Sequence, residues 1–202
     1  TGTITGMIKS DPNVAGNVVI NLENKSDIDG EFIFWGKGKR TINIDNNKDE
    51  LTITNLATNE TFVKAGNKSE ITLNGNIQSK GTTVEFDDST LTNNVAIIGN
   101  IGISLLNGAT GTNTKDGSIT VSGKDAIGVK VDGASTTFTN DGIITLKDGV
   151  TNGVGISVNK GTATNNGTIV LGLGEDGKSG NIAIANVDGT AKNTGKIKIT
   201  DK

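Results

Sequence analysis

A short glycine-rich stretch, Gly172–Gly180 (GLGEDGKSG), carries residues whose spacing could do chemistry. Its first eight residues match G-x-x-x-x-G-K-[ST], the pattern in which backbone N–H groups cradle the phosphates of a nucleotide and the lysine reaches the terminal phosphates. Such a loop needs a helix after it, because the N-terminus of that helix binds the phosphate. The residues that follow alternate like a strand instead, and Glu175 and Asp176 would repel phosphate. We therefore predict an elongated turn without a nucleotide partner.

The residue types of the chain also limit its chemistry. The 202 residues include no His and no Cys, which excludes a Ser-His-Asp triad, a thiol nucleophile, and zinc or iron held by these side chains. The 19 basic and 22 acidic residues give a net charge of −3, whereas nucleic-acid-binding domains carry a basic excess. We predict no cofactor, no nucleic-acid partner and no catalysis.

Internal repeats organise the chain, because two series of glycines keep a common period. The first series is spaced by 25, 25 and 28 residues and comprises Gly117, Gly142, Gly167 and Gly195. The second is spaced by 25, 28 and 28 residues and comprises Gly108, Gly133, Gly161 and Gly189. Since two independent markers share the period, each repeat is predicted to form one structural layer.

Apolar residues alternate within each repeat, as in Ile144/Leu146 and Val154/Ile156/Val158. A period of two places these side chains on one face of a strand. The 29 glycines and the abundant Asn and Thr also disfavour helices. Three such strands and three turns in each repeat predict an all-β, right-handed parallel β-helix with 25–28 residues per rung.

Asparagines recur at one turn of the repeat, at Asn93, Asn140, Asn165 and Asn193. Asn tolerates turn conformations, and stacked Asn side chains can hydrogen-bond to one another in a ladder. The glycine that follows is expected to take a positive φ. We predict that this row specifies the fold and binds no ligand.

The first ninety residues are less regular, because the glycine spacing is lost there. Strand-like runs recur about ten residues apart, which still fits three strands per rung; they lie at Val18–Leu22, Phe32–Trp35, Thr41–Ile44, Leu51–Ile53 and Ile71–Leu73. We predict a single β-helix over residues 1–202, with irregular rungs in 1–90 and regular repeats in 91–202.

Two surface segments are candidates for contact with a partner. The single Trp of the chain stands beside three cations, in the set Trp35, Lys37, Lys39 and Arg40, and Trp and Arg are common anchors of binding sites. Phe32 and Phe34 are expected to face the core. The second segment is the longest of three equivalent connections, Ser122–Ala126, Lys147–Gly153 and Gly172–Asn181, and it contributes Glu175, Asp176 and Lys178.

Repeats that read T-N-[ND]-G-x-I-x-[LV], at Thr139–Leu146 and Thr164–Leu171, are followed by x-G-[IV]-x-V, as in Gly155–Val158. These motifs resemble the passenger domains of bacterial autotransporter (type V) surface adhesins. The resemblance implies a virulence-related protein on the cell surface, exported through a C-terminal outer-membrane β-barrel of the same parent chain. It further implies adhesion to a protein or glycan receptor on host cells or on other bacteria. The chain is then expected to be an excised segment of a passenger.

Two alternatives remain open at this point. One is a fragment of a β-helical enzyme that acts on polysaccharides, which would need clustered carboxylates in a cleft. The aspartate pair Asp87 and Asp88 lies alone, and no matching acidic cluster recurs one or two repeats away. The other alternative is a passive stalk whose binding site lies elsewhere in the parent chain.

Overall fold

The computed structural model describes residues 3–10, 15–22, 27–44, 61–174, 177 and 180–200. The described residues form strands and turns, without a helix. Sheet A contains β1 (Thr3–Lys9), β3 (Asp27–Phe34), β5 (Val63–Ala65), β8 (Thr82–Asp87), β11 (Ile101–Leu106), β14 (Ile127–Asp132), β17 (Val154–Asn159) and β20 (Ile182–Val187). Sheet B contains β2 (Val18–Leu22), β4 (Gly38–Ile44), β6 (Ser69–Asn74), β9 (Thr90–Asn93), β12 (Thr110–Asn113), β15 (Thr137–Asn140), β18 (Thr162–Asn165) and β21 (Thr190–Asn193). Sheet C contains β7 (Ile77–Gln78), β10 (Ala96–Gly99), β13 (Ser118–Val121), β16 (Ile143–Leu146), β19 (Thr168–Leu171) and β22 (Lys196–Ile199).

The three sheets are parallel, and the strands of each sheet stack in the order of the chain. The chain therefore forms the parallel β-helix with three strands per rung that its repeats predict. We number eight rungs by their sheet A strands, so that rung 1 begins with β1 and rung 8 with β20. Corner 1 joins sheet A to sheet B, corner 2 joins sheet B to sheet C, and corner 3 leads to the next rung.

Aliphatic side chains fill the interior in columns that run along the rod. In sheet C, paired residues of successive rungs are fully buried isoleucines, namely Ile97, Ile119, Ile144 and Ile169. Burying one such side chain contributes about 1.5–3 kcal/mol. The side chains that alternate between apolar and polar in the sequence therefore alternate between this interior and the solvent in the structure.

The asparagine ladder at corner 2 is present and is longer than predicted. Its five members, one per rung from rung 4 to rung 8, are Asn93, Asn113, Asn140, Asn165 and Asn193. Each Nδ2 donates to the Oδ1 of the next asparagine, over 2.8, 2.7, 2.7 and 2.7 Å. Asn113 was missed because it precedes the buried Ile119 by six positions, whereas each predicted asparagine precedes its isoleucine by four.

A second set of bonds fixes the orientation of the ladder. The Nδ2 atoms of Asn93, Asn113 and Asn140 also donate to backbone carbonyls of their own turns, at 2.9, 3.3 and 3.3 Å. Since a carbonyl oxygen only accepts, the amide nitrogen must face it. All four bonds of the ladder therefore run from donor to acceptor toward the C-terminal end of the rod.

The glycines that follow the ladder are required by close packing, and the expectation of a positive φ was wrong. The positive φ values of the described glycines lie elsewhere, for example at Gly108 and Gly133 in corner 1. A Cβ on Gly142 would overlap the carbonyl oxygen of Gly117, and a Cβ on Gly167 would overlap that of Gly142. Successive rungs touch backbone to backbone here, so a side chain has no room.

The first three rungs continue sheets A and B without interruption and form an irregular stretch of the same β-helix. At the ladder position they carry Ile20, Ile42 and Leu73 instead of asparagine, and Leu73 pairs with Asn93. The predicted run Val18–Leu22 is strand β2, whereas the predicted strand Leu51–Ile53 lies outside the described residues. Leu73 to Asn93, and Asn93 to Asn113, are steps of 20 residues, shorter than the predicted rung.

Candidate binding surface at corner 1

A cleft opens at corner 1 because one rung makes this corner with fewer residues than its neighbours. The register aligns Phe86–Thr90 of rung 4 with Ala65–Glu70 of rung 3 and with Leu105–Thr110 of rung 5. The rung 4 segment is one residue shorter than the other two. Its backbone is therefore recessed between two longer turns.

The cleft has a volume of about 260 Å³ and is lined by Lys68, Glu70, Asp88, Ser89, Thr90 and Gly108. Lys68 and Asp88 adopt positive φ values of 62° and 43°, which belong to the tight turns of rungs 3 and 4. The Lys68 N–H donates to the Asp88 carbonyl over 2.6 Å, so the two turns are joined. Backbone geometry thus holds the charged side chains at the rim.

Three ionisable side chains of the cleft are exposed and without an ion-pair or hydrogen-bond partner among the residues that the structure describes. They are the ammonium of Lys68 and the carboxylates of Glu70 and Asp88. The hydroxyl of Ser89, by contrast, is buried and donates to the Ala65 carbonyl over 3.3 Å. The cleft therefore presents two acceptor groups and one donor group to solvent. Sequence reasoning missed this site, because it depends on turn lengths in three adjacent rungs.

Trp35 lies at the same corner in rung 2. Its backbone N–H donates to the Ser10 hydroxyl at 2.9 Å, and that hydroxyl donates to the Trp35 carbonyl at 3.0 Å. Its half-buried indole lies across Gly66, where a Cβ would overlap Cζ3 and Cε3 of the ring. The indole therefore borders the turn that carries Lys68 into the cleft.

Lys37 and Lys39 are exposed beside Trp35, on either side of Gly38. The Lys39 backbone N–H donates to Oδ1 of Asn17 over 3.1 Å, which ties this strand to rung 1. The structure therefore brings two of the three predicted cations to the surface beside the tryptophan. Whether they contact a partner stays a prediction.

Arg40 departs from the surface role predicted for it. It is only 2% exposed, because it pairs with the buried Ile71 of the next rung and points into the interior. Since Gly38 lacks a side chain, the guanidinium extends beside that residue, with Nη1 where a Cβ of Gly38 would lie. A partner of the protein cannot reach it in this structure.

The Arg40 guanidinium is poorly satisfied in the interior. Its Nη2 donates to the Trp35 carbonyl at 3.4 Å, while Nε and Nη1 are buried and have no hydrogen-bond partner. An unpaired charge in an apolar interior is costly to bury. The part of the chain that the structure describes offers Arg40 no carboxylate within ion-pair distance.

The three predicted connections at corner 3 are confirmed with their lengths, at Ser122–Ala126, Lys147–Gly153 and Gly172–Asn181. The strand β20 follows the third, as the repeats predict, so the phosphate-loop pattern lacks its helix. Asn181 closes this loop: its Nδ2 donates to the Gly172 carbonyl at 3.1 Å, and its Oδ1 accepts from the Gly153 N–H at 2.8 Å.

The other three candidate contacts, Glu175, Asp176 and Lys178, lie outside the described residues. At the base of the same corner, Asp148 links three rungs. Its Oδ1 accepts from the Leu173 N–H at 2.8 Å and from the Thr200 hydroxyl at 3.0 Å. The backbone hydrogen bond from Leu173, followed by that from Thr200, lowers the pKa of Asp148 below its ordinary value of 3.8.

The described segments contain no group of three or more acidic side chains placed to hold a metal ion. They also contain no helix long and apolar enough to cross a membrane. No family model, curated protein or solved structure matches the chain.

Proposed function

We propose that the chain is a non-catalytic segment of a surface-exported β-helical adhesin of the autotransporter class. In this proposal the rod presents corner 1 and corner 3 to a receptor on host cells or on other bacteria. Its working location is the extracellular side of the outer membrane, beyond the β-barrel of the parent chain.

The observation that carries the proposal is the strictly sequential stacking of the rungs. Each strand pairs only with its neighbours in the same sheet, so a rung needs the preceding rung alone as its template. A chain of this kind can fold progressively as it emerges from a membrane pore. The absence of Cys agrees with export as an unfolded chain, because no disulfide can close a loop before passage.

Export can be tested by placing the chain between a signal peptide and an autotransporter barrel. Ile169→Asp puts a charge into the interior of rung 7, where Ile169 is fully buried. We expect it to abolish surface display and protease resistance. Thr168→Asp, on the adjacent outward position of the same strand, is the control and should display normally. Equal display of both variants would contradict folding-coupled export.

Adhesion can be tested with the purified chain on epithelial cells and on bacteria. We expect saturable binding that falls when Trp35, Lys37 and Lys39 are replaced together by Ala, Gln and Gln. Lys196→Gln with Lys198→Gln, on the exposed strand β22, controls for lost positive charge. Absence of binding would leave the rod as a stalk and would refute the adhesin role of this segment.

A polysaccharide-active enzyme is the second candidate, and the pair Glu70 and Asp88 in the corner 1 cleft favours it. Two carboxylates flanking a bound sugar are the machinery of most glycoside hydrolases. Both residues are exposed, however, and the described part of the chain leaves the cleft open to water, whereas catalytic electrostatics requires a site that excludes it. Release of reducing ends from oligosaccharides, lost in Glu70→Gln, would establish the enzyme and refute the binding role.

A further inference from the structure

The corner 1 cleft has dimensions and chemistry that select a class of ligand. Its volume of about 260 Å³ lies below the ~300–1,000 Å³ of sites for drug-sized molecules. It therefore accommodates a single ring or a single side chain. The residues that line it are polar, charged or glycine, so a ligand with several hydrogen-bonding groups suits it.

The charges of the cleft exclude the common ionic ligands. Glu70 and Asp88 would repel phosphate or sulfate, while Lys68 would repel a metal ion or a basic side chain. Two carboxylates alone also provide too few ligands for calcium, which takes ~6–8 oxygens. A neutral molecule avoids all of these repulsions.

A neutral polyhydroxylated ring matches the three free groups. Sugar hydroxyls donate to carboxylates and accept from ammonium and hydroxyl donors, so a single ring can satisfy Glu70, Asp88 and Lys68 together. We propose that the corner 1 cleft binds one pyranose unit of a neutral glycan. This inference names the ligand class of the adhesin and in that sense rests on the proposed function.

The surface on each side of the cleft suits a longer glycan. Toward the N-terminal end, the half-buried indole of Trp35 lies across Gly66, two residues before Lys68 of the cleft. Toward the C-terminal end, Thr90 begins a column of outward threonines that continues through Thr110 and Thr137, with one hydroxyl every ~4.8 Å. This track carries no charge, which favours a neutral chain over an acidic one.

The test is a titration of the purified, isotope-labelled chain with the methyl glycosides of glucose, galactose, mannose, fucose, N-acetylglucosamine and N-acetylgalactosamine. We expect at least one to shift the amide resonances of Lys68, Glu70, Asp88 and Thr90 with millimolar affinity. Asp88→Asn should weaken that affinity about tenfold, since an amide is a poorer acceptor than a carboxylate. Asn tolerates the positive φ of Asp88, so this variant keeps the turn.

The matched control is Asp188→Asn, since Asp188 occupies corner 1 of rung 8 with a φ of 55°. Its affinity should equal that of the unchanged protein. Absence of shifts with all six glycosides, or the same loss in both variants, would overturn the proposal. Shifts of the same amides by inorganic phosphate or calcium would also overturn it.

The adhesion assay separates this inference from the proposed function. Cell binding that is unaffected by Asp88→Asn, together with no glycoside titration, refutes the cleft but leaves the adhesin standing. Glycoside binding without any cell binding supports the cleft and refutes the adhesin role. Cell binding that the cognate methyl glycoside inhibits supports both.

Discussion

Rungs 1–3 and rungs 4–8 fill the same interior position at corner 2 with different chemistry. The first three rungs use the aliphatic residues Ile20, Ile42 and Leu73, whereas the remaining five use hydrogen-bonded asparagines. The N-terminal rungs also bury aromatic rings, with Phe32 against Phe62 at a centroid distance of 5.3 Å. Both kinds of residue fill the interior at corner 2, but they place different restrictions on the sequence of a rung.

The amide ladder requires one residue type at one height in every rung, so the sequence around it repeats. Aliphatic and aromatic packing tolerates several residues and several shapes, so the N-terminal rungs vary in length and in turn structure. The distinctive surface groups follow this difference: Trp35 lies in the variable region and the cleft spans its boundary. The cleft combines Lys68 and Glu70 of rung 3 with residues of the ladder rungs 4 and 5, so both kinds of rung contribute to the candidate binding surface.

The largest loss of stability is expected from Asn140→Leu, which breaks the ladder. It places an aliphatic side chain, of the kind found in rungs 1–3, at the ladder position of rung 6. It leaves the Asn113 amide nitrogen without one of its acceptors and removes the donor to Asn165 Oδ1, both in a buried setting. Each unsatisfied group costs about 1–3 kcal/mol, so the free energy of unfolding should fall by about 2–5 kcal/mol. Urea unfolding followed by circular dichroism measures it.

An exposed asparagine one rung further along provides the control for this experiment. Asn166→Leu changes the residue that follows the ladder member Asn165 at corner 2 of rung 7 and should alter stability far less. If the two variants are equally destabilised, the buried ladder has no special energetic role.

A gain in stability, rather than a loss, is expected for Arg40→Met in the N-terminal rungs. This substitution replaces a buried, unpaired guanidinium with an apolar chain of similar length, which should raise the free energy of unfolding by about 1–3 kcal/mol. The same urea experiment tests it, with the exposed Lys39→Met as the control. A loss of stability in Arg40→Met would mean that the cation has a stabilising partner.

A smaller and local effect is expected from Gly66→Ala. The new Cβ overlaps the indole of Trp35, so the ring must leave its position across the turn. Because Trp35 is the only tryptophan, its emission should shift to longer wavelength and become more accessible to iodide. Gly180→Ala, where a Cβ meets no atom within 4 Å, should leave the spectrum unchanged. An unaltered spectrum in Gly66→Ala would refute the placement of the indole.

The smallest expected effect is on the pH dependence of stability, through Asp148 at corner 3. The pKa of Asp148 is lowered in the folded chain, so its contribution to stability is present above its ordinary value of 3.8 and is lost as the pH falls through the lower, folded pKa. Asp148→Asn should remove this part of the acid destabilisation. Urea midpoints at pH 7 and pH 3 measure it, and an identical pH dependence in both proteins would contradict the assignment.

The regular rungs were predictable because their local pattern and their tertiary role coincide. Period-two alternation marks the strands, and the Asn-Gly spacing marks corner 2, so the sheet C strands and all three corner 3 connections agree with expectation. Arg40 could have been placed as well, since it is two residues from the buried Ile42 and alternation puts both inside. Arg40 was instead predicted to lie at the surface because its side chain is charged.

The cleft could not be predicted in the same way. It arises from a difference of one residue between rungs 3, 4 and 5, and that difference becomes visible only when the register of paired strands is known. The sequence around Asp88 contains no motif of its own. Sites of this kind depend on neighbours that are about 20 residues away in the chain.

The bonds of Asn181 have a consequence for how such a rod changes over evolution. These bonds join the two ends of the Gly172–Asn181 loop to each other and to the corner 3 connection of rung 6. The register of the rungs therefore does not depend on the residues between the two ends of the loop. Doubling the length of such a loop costs only ~0.6 kcal/mol in closure entropy. Sequence changes between Gly172 and Asn181 are therefore expected to leave the stacking of the rungs unchanged.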